Sequence, residues 1–193
     1  MSRDIRGACA LYYSYQVRGA DGTIKVPFRR RTAHSFVIAY ARFLYLKMVG
    51  AVGQSITDTG SVSRTVESNT PIDTNNAAAS ATHGLVVGTG TNAVALADVA
   101  LQTIIAHGTS AGQLQYGASV VNAPSSDSTS TTLILTRDFS NASGGSITVR
   151  EIGIYSQMQG TGTWNFCIAR DTVTIVLSNG DVLTLNYILK TTS

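Results

Sequence analysis

The dipeptide Asn179-Gly180 stands between two runs rich in β-branched and aliphatic residues, 172–178 and 181–189, and constrains this chain more than any other feature. Asn-Gly between such runs is the strongest short hairpin signal, because a type I′ turn needs φ > 0 at both central residues. A two-residue turn would pair Leu177 with Val182 and Ile175 with Thr184 on one face. Val176 with Leu183 and Thr174 with Leu185 would take the other face. Both faces are apolar, so the expectation is a hairpin covered on two sides. Upstream, residues 114–121, 131–139, 146–156 and 164–170 also read as strands. A Ser/Thr-rich stretch over 124–130 and Gly144-Gly145 separate some of them, and no fixed repeat is visible. Many short strands imply a mainly β fold, an antiparallel β-sandwich.

The first half of the chain adds an N-terminal α-helix and a short second helix. Residues 8–17 and 24–31 read as strands around the Asp21-Gly22 turn, and Pro27 argues for an edge position. Residues 35–49 read as a helix, capped by Thr32 or Ser35 and ended by Gly50. Phe36, Tyr40, Phe43 and Leu44 fall on one face, extended by Val37, Ala41 and Met48, while Ile38, Tyr45 and Val49 cover most of the rest. Only Arg42 and Lys47 break this girdle, so the helix is expected to be buried on several sides, as an internal helix or one shared with another subunit. Residues 55–67 suggest a hairpin around Thr59-Gly60, residues 68–83 a small-residue loop, 84–87 a strand, and 96–101 a helix capped by Asn92. The reading is a single domain over 1–193. It divides into a basic N-terminal part (1–66), a loop (67–83) and a β-sandwich body (84–193).

Charged residues make up 13% of the chain and the hydrophobic set 44%, which excludes a disordered or polybasic composition. No run of about 18 apolar residues is present, so no membrane insertion is expected. The opening Met-Ser-Arg-Asp-Ile-Arg lacks the apolar core of a signal peptide, so export is not expected. Cys9 and Cys167 lie far apart without a CxxC partner and read as reduced thiols. Charge is uneven. The first 50 residues hold nine basic and two acidic side chains, a net +7, and the remainder five and nine, a net −4. That asymmetry suits a negatively charged partner, either nucleic acid or the acidic body of a neighbouring copy. Arg29, Arg30 and Arg31 form its densest run, with Tyr12, Tyr13, Tyr15 and Phe28 nearby.

Signatures of catalysis are weak. Gly88-Thr-Gly-Thr-Asn-Ala93 matches G-x-G-x-x-A, but no acid follows about twenty residues on and no βα alternation surrounds it. A Gly/Thr turn between strands is the better reading. His34, His83 and His107 have no partner at metal-ligand spacing. Asp138 and Glu151 could approach across strands, though Glu151 beside Arg150 suggests a local ion pair. No G-x-S-x-G elbow supports a Ser/His/Asp set. Asn141-Ala-Ser143 is a glycosylation sequon without a secretory signal. The expectation is no catalytic residue, no cofactor and no metal.

Two stretches carry a resemblance. Gly84-Leu-Val-Val-Gly-Thr-Gly-Thr-Asn-Ala-Val-Ala-Leu-Ala-Asp-Val-Ala-Leu-Gln is one; Ile147-Thr-Val-Arg-Glu-Ile-Gly-Ile-Tyr, followed by Cys167-Ile-Ala-Arg-Asp, is the other. In order and spacing they resemble the N-terminal region of tail-collar and tail-fibre proteins of tailed bacteriophages. The segment from His34 through Met48, then Ser55-Ile-Thr-Asp-Thr-Gly60, resembles phage structural proteins. The resemblance implies a non-enzymatic virion component of tail, collar, baseplate or fibre adaptor, assembled in the bacterial cytoplasm. Its partners would be copies of itself and neighbouring virion proteins, not nucleic acid. Candidate subunit contacts are Arg29, Arg30, Arg31, Phe36, Tyr40, Phe43 and Tyr45. The alternatives are a capsid-attached decoration or head-tail connector, a nucleic-acid-binding module built on the basic region and, more weakly, a tail-associated glycan hydrolase.

Overall fold

Alternating burial along the C-terminal strands organises the computed structural model, which describes residues 9–33, 36–50, 53–159 and 162–192. The strand β13 (Val182–Thr192) lies at the centre of the larger sheet, between β1 (Cys9–Arg18) and β10 (Ser130–Ser140), antiparallel to both. Register places Val17, Leu183 and Phe139 in one cross-strand row and Tyr13, Tyr187 and Leu135 in another, all buried. On the far side of β1 lie β2 (Ile24–Val26) and β3 (Arg31–Thr32). Pro27 falls in the gap between them, so the single edge strand expected over 24–31 is two short pieces. Short strands β7 (Gln115–Tyr116), β8 (Val120–Val121) and β9 (Ser125–Ser126) line the other flank of β10.

The second sheet has the order β12 (Thr163–Leu177), β11 (Ile147–Gln159), β6 (Gly84–Gly88). The two stretches expected over 164–170 and 172–178 are one continuous strand. Its inner face meets the larger sheet: the Tyr187 hydroxyl donates to Asp171 Oδ2 at 2.9 Å, and the Tyr116 hydroxyl donates to Ile105 O at 2.7 Å beside β6. The chain is mainly β and antiparallel, with a single helix among the described residues, α1 (Ile38–Val49). A separate hairpin, β4 (Gln54–Thr57) with β5 (Ser63–Val66), matches the one expected around Thr59-Gly60. Asp58 holds its turn by accepting from Gly60 and Val62 N–H and from Arg64.

The Asn179-Gly180 turn is real, but the hairpin is not. β12 pairs with β11 and β13 pairs with β1 and β10, so the turn carries the chain from one sheet to the other as an arch. Asp181 N–H donates to Ser178 O at 3.0 Å, and Gly180 has φ +87°. Asn179 has no positive φ, so the turn is not type I′ and does not match the twist of a paired hairpin. Asn141 braces it: its carbonyl accepts from Gly180 N–H at 2.7 Å and its side chain donates to Gly145 O and Leu177 O. The sequon asparagine is thus buried, bound inside the arch.

The second helix is also absent. Residues 96–101 form a turn and bend, in which the Asp98 carboxylate accepts from Ala95 N–H at 2.9 Å. Six residues offset helix nucleation poorly, and the nearby backbone donors are taken by a side chain described below.

Candidate functional site

Helix α1 carries a cluster of exposed large apolar side chains. Its N-cap is Val37, without a side-chain cap bond, and Gly50 closes it in the left-handed region at φ 60°. Ser35 and His34 lie outside the described residues. Ala39, Phe43 and Leu46 are buried against β12 and β4, and Phe43 meets Phe166 edge-on with ring centroids 5.3 Å apart. Phe43 therefore belongs to the chain's own core and is not a surface contact. Phe36 and Tyr40 stack on each other at 3.7 Å and are half-buried.

The opposite face is open. Ile38, Leu44, Tyr45, Met48 and Val49 are 47–77% exposed, with Ala41 among them. At 100° per residue they span an arc of about 140°. Of the two expected placements, this rules out a helix internal to the chain. The arc carries no charge. Arg42 and Lys47 stand at its two borders and turn back onto the chain: Arg42 Nη1 donates to Ser55 O at 2.9 Å, Lys47 Nζ to Ser68 O at 2.7 Å and also to Thr70 O. Leu96, 75% exposed, adjoins the helix start, where Ile38 N–H donates to the Leu96 carbonyl at 2.9 Å. Tyr45 was legible as a surface candidate. Its apolar neighbours were not, because helical periodicity does not reveal that both charged side chains fold back.

The arginine run sits elsewhere. Arg29 and Arg30 lie in the connection between β2 and β3, and Arg31 opens β3. Arg30 lies over the Tyr12 ring at 4.7 Å and Arg31 over the Tyr15 ring at 5.1 Å. Those ring faces are covered by the chain's own guanidinium groups.

The Gly-rich segment cradles an anion, but an internal one. Glu151 is fully buried, and its Oε1 accepts from Gly90 N–H at 2.9 Å and Thr103 N–H at 2.8 Å, its Oε2 from Gln102 N–H at 3.0 Å. A side chain on Gly88 or Gly90 would meet Glu151 Oε1 at 2.5 Å, so both glycines answer to this carboxylate. Arg170 completes the clasp, bonded to Glu151 Oε2 at 3.0 Å and Asp98 Oδ2 at 2.7 Å. Burial works against the Arg170 charge, but the two carboxylates outweigh it and raise its pKa above the ordinary value. The ion pair of Glu151 is thus with Arg170, not its neighbour Arg150. Asp138 is exposed on β10 in the other sheet, so Asp138 and Glu151 do not form a pair.

Among the described residues no group of His, Cys, Asp and Glu could hold a metal. Cys9 and Cys167 are both free, and burial pushes the Cys167 thiol up to about 12. His83 is a buried brace for the loop over 74–83. Its Nε2 donates to Asn75 O at 2.8 Å, while Nδ1 faces the Thr82 hydroxyl at 3.0 Å and the Gln157 amide at 3.2 Å. Burial, helped by the charge of Arg137, lowers its pKa, against the Asn75 carbonyl and Asp73. Because the folded pKa lies below the unfolded one, stability is retained above pH 6.5 and falls as pH drops below it. Thermal unfolding followed from pH 7.5 to 5 is expected to show a fall in melting temperature with a component from this site. A His83→Gln variant should lack that component; an identical pH profile in both proteins would refute it.

Comparison of the chain with protein-family models, with curated proteins and with solved structures gives no match.

Proposed function

We propose that this chain is a non-enzymatic structural subunit of a tailed-phage virion, a tail, collar, baseplate or fibre-adaptor piece built in through repeated contacts with its own copies and adjacent virion proteins. The observation that carries the assembly part is the uncharged apolar face of α1. A contiguous patch of large aliphatic side chains on a small protein is a contact surface or an aggregation liability. Here the two flanking charges are tied to the chain's own carbonyls, so nothing on this face repels a second apolar surface. The phage assignment rests on the segments 84–102, 147–155 and 167–171. They fold into β6, β11 and β12 and meet in one clasp, Glu151 with Arg170 and Asp98. Their buried polar groups are spent on bracing one another, which supports a structural building block over a catalytic centre. Nucleic acid is disfavoured as partner because the Tyr12 and Tyr15 faces, on which bases would stack, hold Arg30 and Arg31.

The test is location. An epitope-tagged chain expressed during infection should be found at a fixed, repeated position in purified particles imaged by electron microscopy. Its absence from purified particles, with the protein remaining free in the lysate, would sink the assignment.

A further inference from the structure

Only part of the outer edge of β12 is covered. Thr59 N–H donates to Asn165 O at 2.8 Å, Val37 N–H donates to Ile168 O at 3.2 Å, and Phe36 bridges to Ala169. From Thr172 to Leu177, β12 pairs with β11 alone among the described residues. That stretch reads Thr-Val-Thr-Ile-Val-Leu, without charge, proline or glycine. Open edges of this composition are templates for another strand, and proteins ordinarily blunt them with Lys, Pro or a bulge.

A cavity of about 480 Å³ opens at this edge, with Tyr13, Tyr15 and Arg31 on one wall and Arg150, Thr172 and Thr174 on the other. No carboxylate lines it, and no ion pair among the described residues uses Arg31 or Arg150. Arg31 is held in place by stacking over the Tyr15 ring at 5.1 Å. We propose that the edge and the cavity together form a strand-addition site for an extended, acidic segment of a neighbouring polypeptide. Main-chain hydrogen bonds to β12 supply the pairing, and a carboxylate between the two guanidinium groups sets the register. Edge-to-edge pairing of two identical copies would bring both Arg31 side chains to one seam, which like-charge repulsion opposes. The site is separate from the helix face, so either can fail without the other.

Two blocked hexapeptides, Thr-Val-Glu-Val-Thr-Val and Thr-Val-Gln-Val-Thr-Val, serve as probes of the intact protein by calorimetry and by amide exchange. The Glu peptide should bind about tenfold more tightly than the Gln peptide. It should also slow exchange at alternate amides between Thr172 and Leu177. Arg150→Gln, an exposed change, should narrow the difference, and Arg31→Gln with Arg150→Gln should bring the peptides within about twofold. Equal affinity for the two peptides, or protection confined to other strands, would overturn the proposal. So would a 12-nucleotide single-stranded DNA that displaces the Glu peptide at physiological salt, which would make the cleft a nucleic-acid site.

Discussion

An Arg170→Met variant is expected to lose about 3–5 kcal/mol of stability, the range for breaking a buried ion pair by removing one partner. The cost lies mainly in what remains. Glu151 would stay fully buried with backbone N–H donors but no counter-charge, and Asp98 would lose its charged partner. The segment from Gly88 to Thr103, held to β11 through that carboxylate, would loosen with it. Adding Glu151→Gln removes the stranded charge, so the double variant should be more stable than Arg170→Met alone. Urea unfolding of the four proteins in this cycle reads the coupling directly. Additive losses, or a single variant within about 0.5 kcal/mol of wild type, would show that the clasp is not a coupled unit.

Arg137→Met should be nearly as damaging, by about 3 kcal/mol, for a different reason. Arg137 is buried, with its guanidinium over the Tyr116 ring at 4.7 Å and near the Phe139 ring at 5.9 Å, and has no carboxylate partner among the hydrogen bonds made by its guanidinium. It donates instead to five backbone carbonyls: Gly117 at 2.8 Å, His83 at 3.1 Å, Leu85 at 2.8 Å, Ala77 at 3.3 Å, and Ser80. Burial pulls its pKa down to about 10, still charged at neutral pH. Met fills much of the volume but takes one donor from each of those acceptors, of which His83 O and Ser80 O keep only Asn76 Nδ2 as a side-chain donor among the described residues. Lysine should not rescue the loss, since one compact ammonium cannot reach five acceptors spread around a planar fork. The readout is urea unfolding together with limited proteolysis, in which residues 74–85 become the first site cut. Wild-type stability in Arg137→Met would contradict this role.

How far the residues disclosed the fold depended on whether the signal was local. The longer strands, the hairpin at β4 and β5 and the Gly50 stop follow from turn chemistry and burial parity, and they hold, whereas the single strands expected over 24–31 and 114–121 are each two short pieces. Asn179-Gly180 marked a true turn, but whether the strands after a turn pair or part into two sheets depends on distant partners. Here those are β11 for one strand and β1 and β10 for the other. The glycines at 88 and 90 were visible as close-approach positions, while what approaches them lies 61 residues from Gly90. One signal was available: Glu151 shares parity with the inward Ile147 and Val149, so an internal carboxylate was implied and needed a cation. Arg170, directly after the apolar run Phe166-Cys167-Ile168-Ala169, was that cation. The apolar helix face was legible as composition but not as exposure, because the fold-back of Arg42 and Lys47 is a tertiary fact.

Sedimentation analysis of wild type against a Tyr45→Glu, Met48→Glu double variant tests the central claim most directly. Both side chains are exposed, so the variant should melt like wild type. Wild type is expected to sediment as an oligomer at micromolar concentration, and the variant as the 20.3 kDa monomer. A wild-type protein that stays monomeric and does not join neighbouring virion proteins, or a variant that assembles as well as wild type, would contradict assembly through this helix.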